Sequence, residues 1–348
     1  MRALICGYYG EHNLGDDALL QVLLDQLPPV CLPVVTAHDQ ELVRDRFGVE
    51  TIDRRRLAAV LAALSRCDAL VLGGGSLLQD ATSFSSLLYY GALMMASRLG
   101  GRPVILWGQG LGPLRRRRSR ALVRALLPLA TAISWRDGAS ALQARAWGVE
   151  APVGSDPVWA LPARTWSGRG GPIVLCFRPV HQLQGAAWLP YLEAVERLAV
   201  TADREVLWLP FHRDQDRGLL AGLGRQGLIG PALAARSREL AVATPEEALD
   251  HFQRAGLVLA MRLHGLILAA LAGSPCAALS YDPKVAAAAA GIVCPCHDLE
   301  VPAGAALADI WSALLDSPPD RDGIEALQRS SQVHRSVLAS LGGVTARE

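Results

Sequence analysis

The sequence lacks the marks of a membrane-spanning, secreted or nucleic-acid-binding protein. No stretch reaches the ~18–20 uninterrupted apolar residues that a spanning helix needs. The opening residues MRALICGYYG read as a strand and a turn, without the apolar core and small-residue cleavage site of a secretory signal. The formal net charge is only +1, whereas nucleic-acid binders normally carry a basic excess. We therefore expect a cytoplasmic protein that does not bind nucleic acid.

The cysteines do not form a pattern typical of disulfides or of a zinc site. There are seven, an odd number, and they are scattered except for the pair Cys294 and Cys296, which is not a CxxC motif. Buried free thiols in a reducing compartment account for them best. Because the sequence shows no cluster of metal-ligand residues either, we expect an activity that needs no metal and no cofactor.

Lysine is almost absent from the sequence. Of 34 cationic residues, 33 are arginine and one, Lys284, is lysine. A strong arginine bias usually reflects coding composition. The single lysine either survives by chance or marks a position that needs a compact, titratable ammonium group in place of a planar guanidinium.

What the sequence does contain is a repeated alternation of short β-like runs and helix-like windows. At 348 residues the chain is long enough for two domains of ~100–200 residues each. The strand candidates are 3–6, 31–35, 69–72, 104–107 and 132–135 in the first half, and 173–177, 206–209, 257–260 and 276–280 in the second. Continuous apolar strands separated by helices are typical of a parallel sheet covered on both faces. The prediction is an α/β fold with two Rossmann-like domains facing a cleft.

The predicted domain boundary is a segment rich in glycine, proline and polar residues, 161–172. It separates an N-terminal domain, 1–160, from a C-terminal domain, 173–320. Residues 321–348 are predicted as a C-terminal helix that packs back on the N-terminal domain, with its helical window at 323–341.

Ligands of open parallel sheets bind beyond the carboxyl ends of the strands, so the segments after each strand are the candidate site. In the first half these segments are rich in glycine: GYYGEHNLGDD (7–17), GGGSLLQD (73–80) and GQGLGP (108–113), followed by SWRD (134–137). None matches the GxGxxG fingerprint of dinucleotide binding. Tight turns and helix caps explain each segment alone, with Asn13, Asp16 or Asp137 as an N-cap. Consecutive glycines also let a backbone approach a ligand closely, and several such segments together favour binding.

In the second half the segments after the strands are cationic instead. Arg178 follows one strand, LPFHRD (209–214) another, and Met261-Arg262-Leu263-His264 a third, at the start of a helix. A helix N-terminus attracts anions, and arginine adds a fork suited to phosphate or carboxylate. His264 could donate to an anion or transfer a proton. Lys284 follows the next strand, so this half predicts a site for a small anion.

The strongest block of charge runs from Arg115 to Arg118 and is extended by Arg120 and Arg124. A solvated helix start is the simpler interpretation and the one the sequence favours. The alternative is a peripheral docking surface at the inner face of the membrane, where an anionic, lipid-linked acceptor would be presented.

These segments resemble the polysaccharide pyruvyltransferase family, in particular the CsaB-type cell-surface enzymes. The resemblance is carried by GYYGEHNLGDDALL (7–20), GGGSLLQD (73–80), GQGLGP (108–113), SWRD (134–137), SDPV (155–158), MRLHGLILAALAGSP (261–275) and SYDPKV (280–285). They span most of the chain in the expected order, which makes the match specific. One departure is Tyr8-Tyr9, where the family more often has Gly-Gly.

The resemblance implies a GT-B-like architecture and transfer of a pyruvyl group from phosphoenolpyruvate to a sugar, with formation of a cyclic ketal and release of phosphate. In the CsaB-type group the acceptor is thought to be N-acetylmannosamine of a lipid-linked cell-wall polymer precursor. By the same resemblance, Arg262, Leu263 (through its backbone) and His264 would bind phosphoenolpyruvate, assisted by Arg178 and Lys284. The N-terminal segments would bind the acceptor through Asn13, Gly15, Gly74, Gly75, Gln109 and Arg136.

The residues agree with this chemistry. Phosphoenolpyruvate carries a phosphate and a carboxylate, so its site needs several cations. Ketal formation needs an acid that protonates the enol carbon and a base that takes protons from two sugar hydroxyls. We predict that His264 or a neighbouring acid is the proton donor and that Asp16 or Asp80 is the base, each worth ~10²–10⁴-fold in rate.

Two other functions are open on the sequence. A sugar-nucleotide glycosyltransferase of the same fold would also use two domains and a helix N-terminus, but it does not call for Arg178, Arg262 and Lys284 around a small ligand. A non-catalytic protein that binds an anionic metabolite would not need acidic residues in the N-terminal half. Competition between phosphoenolpyruvate and UDP-sugars, together with phosphate release, separates the three.

Overall fold

The structure, a computed structural model, describes residues 1–80, 83–304 and 306–342. Contacts within the chain divide it into two compact units. Unit 1 comprises residues 1–11, 16–160 and those from 327 onward, and unit 2 comprises residues 12–15 and 161–326. Each unit is built around a parallel sheet of its own.

The described residues of unit 1 form a sheet of seven parallel strands. These are β1 (Arg2–Tyr9), β2 (Leu32–Ala37), β3 (Glu50–Asp53), β4 (Ala69–Leu72), β5 (Gly75–Leu78), β6 (Val104–Leu111) and β7 (Ala132–Trp135). The order is β3-β2-β1-β4-β6, and both β5 and β7 pair with β6. The intervening helices are α1 (Leu14–Gln26), α2 (Gln40–Phe47), α3 (Leu57–Leu64), α4 (Phe84–Leu99), α5 (Arg117–Leu126) and α6 (Gly138–Arg145).

The described residues of unit 2 form a sheet of six parallel strands. These are β8 (Ile173–Cys176), β9 (Val206–Trp208), β10 (Ser237–Glu239), β11 (Leu257–Ala260), β12 (Cys276–Ser280) and β13 (Cys296–Asp298), in the order β10-β9-β8-β11-β12-β13. The helices are α7 (Leu189–Thr201), α8 (Arg213–Asp216), α9 (Leu219–Arg225), α10 (Pro231–Arg236), α11 (Pro245–Gln253), α12 (Leu263–Leu271), α13 (Pro283–Gly291), α14 (Leu307–Leu314) and α15 (Arg321–Ser331). Short 3-10 turns cover Leu127–Leu129, Pro157–Ala160 and Gly185–Trp188.

The central strands of both sheets are buried on both faces. All residues of β4, β6, β8, β11 and β12 are buried. Strands covered by helices on both sides lose contact with water along their whole length, which is why they read as apolar runs in the sequence. Large buried aromatic side chains fill the layers between sheet and helices, among them Trp107 and Trp135 in unit 1 and Phe252 and Trp311 in unit 2.

The C-terminal segment forms two helices where the sequence predicts one. The boundary between the units falls within α15, and Gln332 separates it from α16 (Val333–Ala339). His334 of α16 is fully buried in unit 1: its Nε2 donates to the carbonyl of Ser155 at 2.7 Å, and its Nδ1 accepts from the Ser134 hydroxyl at 2.9 Å. Burial lowers the pKa of His334, although the bond to Ser155 opposes this, so the imidazole is neutral at pH 7.

Two further segments differ from their prediction. The sequence indicates one helix near 214–223, but the structure has two, α8 and α9, because Gly218 has a φ of +77° and no α-helix continues through that conformation. The segment 161–172 contains no helix or strand, but it groups with unit 2. Its Trp166 Nε1 donates to the carbonyl of Ala255 at 2.8 Å, so it is held against unit 2. In the described ranges, no helix is long and apolar enough to cross a membrane.

Candidate functional site

The carboxyl edge of the unit 2 sheet collects segments from four neighbouring strands. β9, β8, β11 and β12 are adjacent and parallel, so the residues that follow them emerge at the same edge. Arg178 follows β8, His212 follows β9, Arg262 follows β11 and Tyr281 follows β12. The fold therefore brings together cations that are far apart in the sequence.

Arg262 is held in a buried ion pair with Asp216. It occupies the N-cap of α12 and is 9% exposed. Its Nε donates to Oδ2 of Asp216 at 3.0 Å and its Nη2 to Oδ1 at 2.5 Å. A bidentate pair of this kind fixes the plane of the guanidinium, and the buried carboxylate offsets its charge. A ligand would thus meet an Arg262 that is already oriented.

Gln215 joins Arg262 to a second guanidinium. Its Oε1 accepts from Nη2 of Arg262 and from Nη2 of Arg178, each at 3.1 Å. Nη1 of Arg178 donates to the Tyr281 hydroxyl at 2.8 Å, and its guanidinium lies 5.0 Å from the centre of the Tyr281 ring. Two guanidinium groups share one neutral acceptor and a single buried carboxylate, so this edge has a surplus of positive charge that favours an anion.

His212 adds a neutral imidazole to the cluster. Its backbone N–H donates to Oδ2 of Asp216 at 2.8 Å, and its Nδ1 is buried with no hydrogen-bond partner among the described residues. Burial, and then the positive charge of Arg262, lower the pKa of His212, so the ring is uncharged at neutral pH. A neutral imidazole next to two guanidinium groups can accept or donate a hydrogen bond without adding charge.

Sequence reasoning did not single out Gln215, Asp216 or Tyr281. All three follow strands of the predicted sheet, so the rule that ligands bind at strand ends does point to their segments. The search for positive charge did not find them, because Gln215 and Tyr281 are neutral and the negative charge of Asp216 is not expected beside an anion site. Only the observed pairing shows that Asp216 orients Arg262.

His264 lies in the first turn of α12, directly beside Gly15. A Cβ atom built on Gly15 would lie 2.1 Å from Nδ1 and 2.7 Å from Cγ of His264, well inside van der Waals contact. No residue larger than glycine fits at position 15 unless the imidazole moves. Gly15 therefore packs directly against the His264 imidazole and limits where that ring can lie.

The segment 12–15 belongs to unit 2, although its flanking residues belong to unit 1. Its backbone pairs with the segment 211–213 through hydrogen bonds of 2.9 and 3.1 Å and a β-bridge. Asn13 and Gly15 thus lie with the residues predicted to bind phosphoenolpyruvate, whereas the family resemblance assigns them, with the rest of the N-terminal segments, to the acceptor. Position in the chain cannot show on which unit a loop docks.

Lys284 lies in the first turn of α13, half-buried, after the strand that also leads to Tyr281. Its backbone N–H donates to Oδ1 of Asp282 at 2.9 Å, and Asp282 is the N-cap of α13. The cap fixes the start of the helix and, with it, the point from which the lysine side chain leaves the backbone. Lys284 therefore belongs to the same edge of the sheet as Arg178 and Arg262.

The carboxyl edge of the unit 1 sheet is more closely packed than its glycines suggest. A Cβ on Gly73 would lie 1.8 Å from the Tyr9 hydroxyl, and one on Gly74 would lie 2.7 Å from Cδ2 of Leu19. Gly75 has a φ of +105° and begins β5, which pairs with β6. Close approach of side chains and strand pairing therefore account for glycines that the sequence analysis attributes to a tight turn or to approach of the backbone to a ligand.

Gln109, predicted to bind the acceptor, is fully buried in unit 1. Its Nε2 donates to the carbonyls of Leu72, at 3.2 Å, and of Gly73, so it ties β6 to the end of β4. Its Oε1 is buried with no hydrogen-bond partner among the described residues, and contact of Gln109 with an acceptor sugar stays a prediction. The geometry gives Gln109 a structural role.

Arg136 forms a buried ion pair in unit 1. Its Nη1 donates to Oδ2 of Asp156 at 3.0 Å and its Nη2 to the Ser76 hydroxyl at 3.0 Å, and both charged side chains are less than 10% exposed. The neighbouring Asp137 caps α6, as the simpler interpretation of the sequence has it. Arg136 therefore braces the edge of the sheet, and its charge is balanced within unit 1.

Asp80, one of two predicted bases, is bound by backbone amides. Its two carboxylate oxygens accept from the N–H groups of Arg115 and Arg116, each at 2.9 Å. Burial raises the pKa of Asp80, but these hydrogen bonds outweigh it and bring the pKa below its ordinary value. A carboxylate with a lowered pKa and occupied oxygens is a weak base. Asp16, the other predicted base, lies half-buried in the first turn of α1.

A group of side chains in unit 1 was missed by the sequence analysis. The guanidinium of Arg54 lies 4.3 Å from the centre of the Tyr8 ring and donates to Oε1 of Glu11 at 2.7 Å. The departure from the family pattern at Tyr8-Tyr9 is the signal that could have found it. An aromatic face beside a charged hydrogen-bonding pair is a surface that can hold a sugar ring.

In the portion of the chain that the structure describes, no three His, Cys, Asp or Glu side chains are arranged as metal ligands.

Comparison with known proteins bears on both fold and function. The sequence profile of a family described as polysaccharide pyruvyl transferase matches residues 13–283. No curated protein sequence matches the chain.

Solved structures of similar fold share little sequence with this chain. UDP-GlcNAc 2-epimerase from Methanocaldococcus jannaschii has a TM-score of 0.62 at 11% identity, over 99% of this chain and 100% of that one. Anabaena HepE in complex with UDP-glucose has a TM-score of 0.56 at 13% identity, over 99% and 100%. UDP-GlcNAc 2-epimerase from Neisseria meningitidis bound to UDP-GlcNAc has a TM-score of 0.57 at 10% identity, over 98% and 100%. At such identity the likeness shows the fold alone, and it confirms the predicted GT-B-like α/β class.

Proposed function

Because the chain belongs to the polysaccharide pyruvyl transferase family, we propose that its donor is phosphoenolpyruvate and its acceptor a sugar of a cell-wall polysaccharide precursor. The observation that carries the donor is the cationic edge of the unit 2 sheet. Arg178 and Arg262 share the acceptor Gln215, while a single buried carboxylate balances only one of them. A ligand with a phosphate and a carboxylate on one small frame supplies the missing negative charge.

The position and charge of each predicted residue indicate which part it takes in binding phosphoenolpyruvate. The first turn of α12 offers backbone N–H groups at Leu263 and His264, which suit a phosphate. Arg178, which is held by the hydroxyl of Tyr281 and by Gln215, offers its guanidinium to the same ligand. Lys284, in the first turn of α13, adds an ammonium group. These residues form the proposed donor site.

The proposed reaction balances without a redox partner. The enol CH₂ carbon of phosphoenolpyruvate gains a proton, and the neighbouring carbon forms bonds to two sugar oxygens while its bond to the phosphate oxygen breaks. Of the two hydroxyl protons, one replaces the proton given to the CH₂ carbon and the other leaves with phosphate. We assign the proton donation to His264 and the acceptance of hydroxyl protons to Asp16, which directly follows Gly15 in the chain.

The proposed acceptor is N-acetylmannosamine of a lipid-linked precursor, as the resemblance to CsaB-type enzymes implies. A lipid-linked acceptor is presented at the inner face of the membrane, which would place a cytoplasmic enzyme there peripherally. The arginine-rich α5 is the candidate contact.

Calorimetric titration with phosphoenolpyruvate tests the donor without knowledge of the acceptor. We expect saturable binding with a Kd in the range of about 1 μM to 1 mM. His264→Ala should weaken binding at least tenfold, whereas His251→Ala, a change of the same type on α11, should leave it unchanged.

Three other outcomes would contradict the proposal. No heat with phosphoenolpyruvate but saturable binding of UDP-GlcNAc would favour a sugar-nucleotide glycosyltransferase. Equal binding by the His264 and His251 variants would show that the anion binds elsewhere. Binding of phosphoenolpyruvate with no phosphate release in the presence of amino-sugar acceptors would favour a metabolite-binding protein.

A further inference from the structure

The charge of this chain is distributed very unevenly along its length. Between Ser83 and Arg136 there are nine arginines and no aspartate or glutamate. These 54 residues hold nine of the 34 cations and none of the 33 anions, so the rest of the chain carries a net charge of −8. The overall net charge of +1 conceals this separation. The acid-free segment contains α4, β6, α5 and β7.

Six of the nine arginines are concentrated at α5. Arg117, Arg120 and Arg124 are spaced so that they share one face of the helix, and all are exposed. The other three precede or flank this face and are also exposed: Arg115, Arg116 and Arg118. All six side chains are exposed and none forms a salt bridge with a described residue; the one carboxylate that the structure shows beside them is that of Asp80, which accepts from the backbone N–H groups of Arg115 and Arg116. A solvated helix start would not require that the whole segment from Ser83 to Arg136 lack aspartate and glutamate.

The neighbouring helix α4 exposes apolar side chains. Leu88 is 51% exposed, Met95 48% and Leu99 90%. Intervals of seven and four residues place the three on one stripe of the helix. The opposite face of α4 is buried in the core of unit 1. Exposed apolar side chains that line up in this way mark interaction surfaces more often than singly scattered ones do.

The two helices lie side by side. A Cβ on Gly91 of α4 would lie 3.0 Å from Cδ1 of Leu126 on α5, so the helices touch at this point. At the start of both helices, the guanidinium of Arg118 lies 4.3 Å from the centre of the Phe84 ring. The apolar stripe of α4 and the arginines of α5 therefore form adjoining parts of one surface, which we call the α4–α5 face.

We propose that the α4–α5 face binds the surface of an anionic lipid bilayer. Cations that attract anionic headgroups, next to apolar side chains that enter the headgroup region, are the pattern of a peripheral membrane contact. The phosphates of a nucleic acid would bind the arginines but would not account for the exposure of Leu88, Met95 and Leu99. The contact suits the proposed lipid-linked acceptor but does not rest on it, since it can be measured without donor or acceptor.

Co-sedimentation of the full chain with lipid vesicles tests the proposal. We expect binding to vesicles of phosphatidylcholine mixed with phosphatidylglycerol, and little binding to phosphatidylcholine alone. The triple variant Arg117→Gln, Arg120→Gln, Arg124→Gln should bind the anionic vesicles roughly 100-fold more weakly, because each arginine near such a surface contributes about fivefold. A second triple variant, Leu88→Gln, Met95→Gln, Leu99→Gln, should weaken binding roughly tenfold.

The matched control removes the same charge elsewhere: Arg66→Gln, Arg225→Gln, Arg254→Gln, three exposed arginines outside the face. It should bind vesicles like the unaltered protein, and all variants should keep the same thermal unfolding midpoint. Three results would each overturn the proposal: no binding to anionic vesicles, equal loss in the control variant, or unchanged binding in the apolar variant. If binding were unchanged in the apolar variant and single-stranded DNA displaced the protein completely from the vesicles, the face would be a general surface for polyanions. Phosphoenolpyruvate binding is measured separately, so failure here leaves the donor assignment intact.

Discussion

Each unit carries a buried arginine–aspartate pair at the carboxyl edge of its sheet, and the two pairs differ in their surroundings. In unit 1, Arg136 is balanced by Asp156, and its remaining hydrogen bond goes to a serine hydroxyl. In unit 2, Arg262 is balanced by Asp216 but shares Gln215 with a second cation, Arg178. The first pair stabilises the edge of the sheet and its charges cancel, whereas the second lies within an edge that carries a net positive charge. An arginine at a strand end thus indicates an anion site only when a surplus of charge accompanies it.

The largest effect is expected when either pair is broken. Asp216→Ala and Asp156→Ala each leave a buried guanidinium without its carboxylate, which should lower the free energy of unfolding by about 3–5 kcal/mol. Urea-induced unfolding measures this. Asp214→Ala, which removes an exposed neighbour of Asp216, should change it by less than about 0.5 kcal/mol. A similarly small loss in either pair would show that its arginine is solvated.

The next effect concerns the glycine that lies under His264. Gly15→Ala places a methyl group where the imidazole now lies, so we expect turnover to fall ~10²-fold or more through displacement of the proton donor. Gly138→Ala is the matched control, because Gly138 also lies in the first turn of a helix and has open space around its Cα. Steady-state rates of phosphate release compare the two. Equal activity of both variants would remove Gly15 and His264 from the proposed site.

A smaller effect separates the edges of the two sheets. Arg178→Ala removes a charge-assisted hydrogen-bond donor from the unit 2 edge and should raise the Kd of phosphoenolpyruvate roughly 10–100-fold. Arg54→Ala removes an equally charged group from unit 1, next to Tyr8, and should leave this Kd within about twofold. Calorimetry on both variants decides. If Arg54→Ala weakened binding of phosphoenolpyruvate and Arg178→Ala did not, the donor site would have to be assigned to unit 1.

The smallest effect is a dependence of stability on pH that both units share. Burial lowers the pKa of His334 in unit 1 and of His212 in unit 2. The unfolded chain therefore binds protons at a pH where the folded chain does not, and the free energy of unfolding should fall as pH drops below ~6.5. Denaturant unfolding between neutral and mildly acidic pH measures it. The variant His334→Gln should show a shallower decline than the unaltered protein, and an equal or steeper decline would contradict the assignment.

The alternation of apolar strands and helices predicted the central elements of both sheets. The segments 3–6 of β1, 69–72 of β4 and 104–107 of β6 are buried and wholly apolar, so they are easily recognised. β3, β10 and β13 were not predicted, because they are edge strands of three or four residues and are partly exposed. Short, half-exposed strands leave neither an apolar run nor enough alternation to detect.

The sequence by itself determined the class of fold, the family, and which cations were available to a ligand. Burial pattern and residue type are properties of short segments, so they can be read without knowledge of distant contacts. Only the tertiary structure decided that Arg262 pairs with Asp216, 46 residues away, that Gln109 is buried, and that Gly15 lies against His264. The physical reason is that these relations depend on which strand-end segments meet in space. Parallel sheets bring such segments together from positions far apart in the chain.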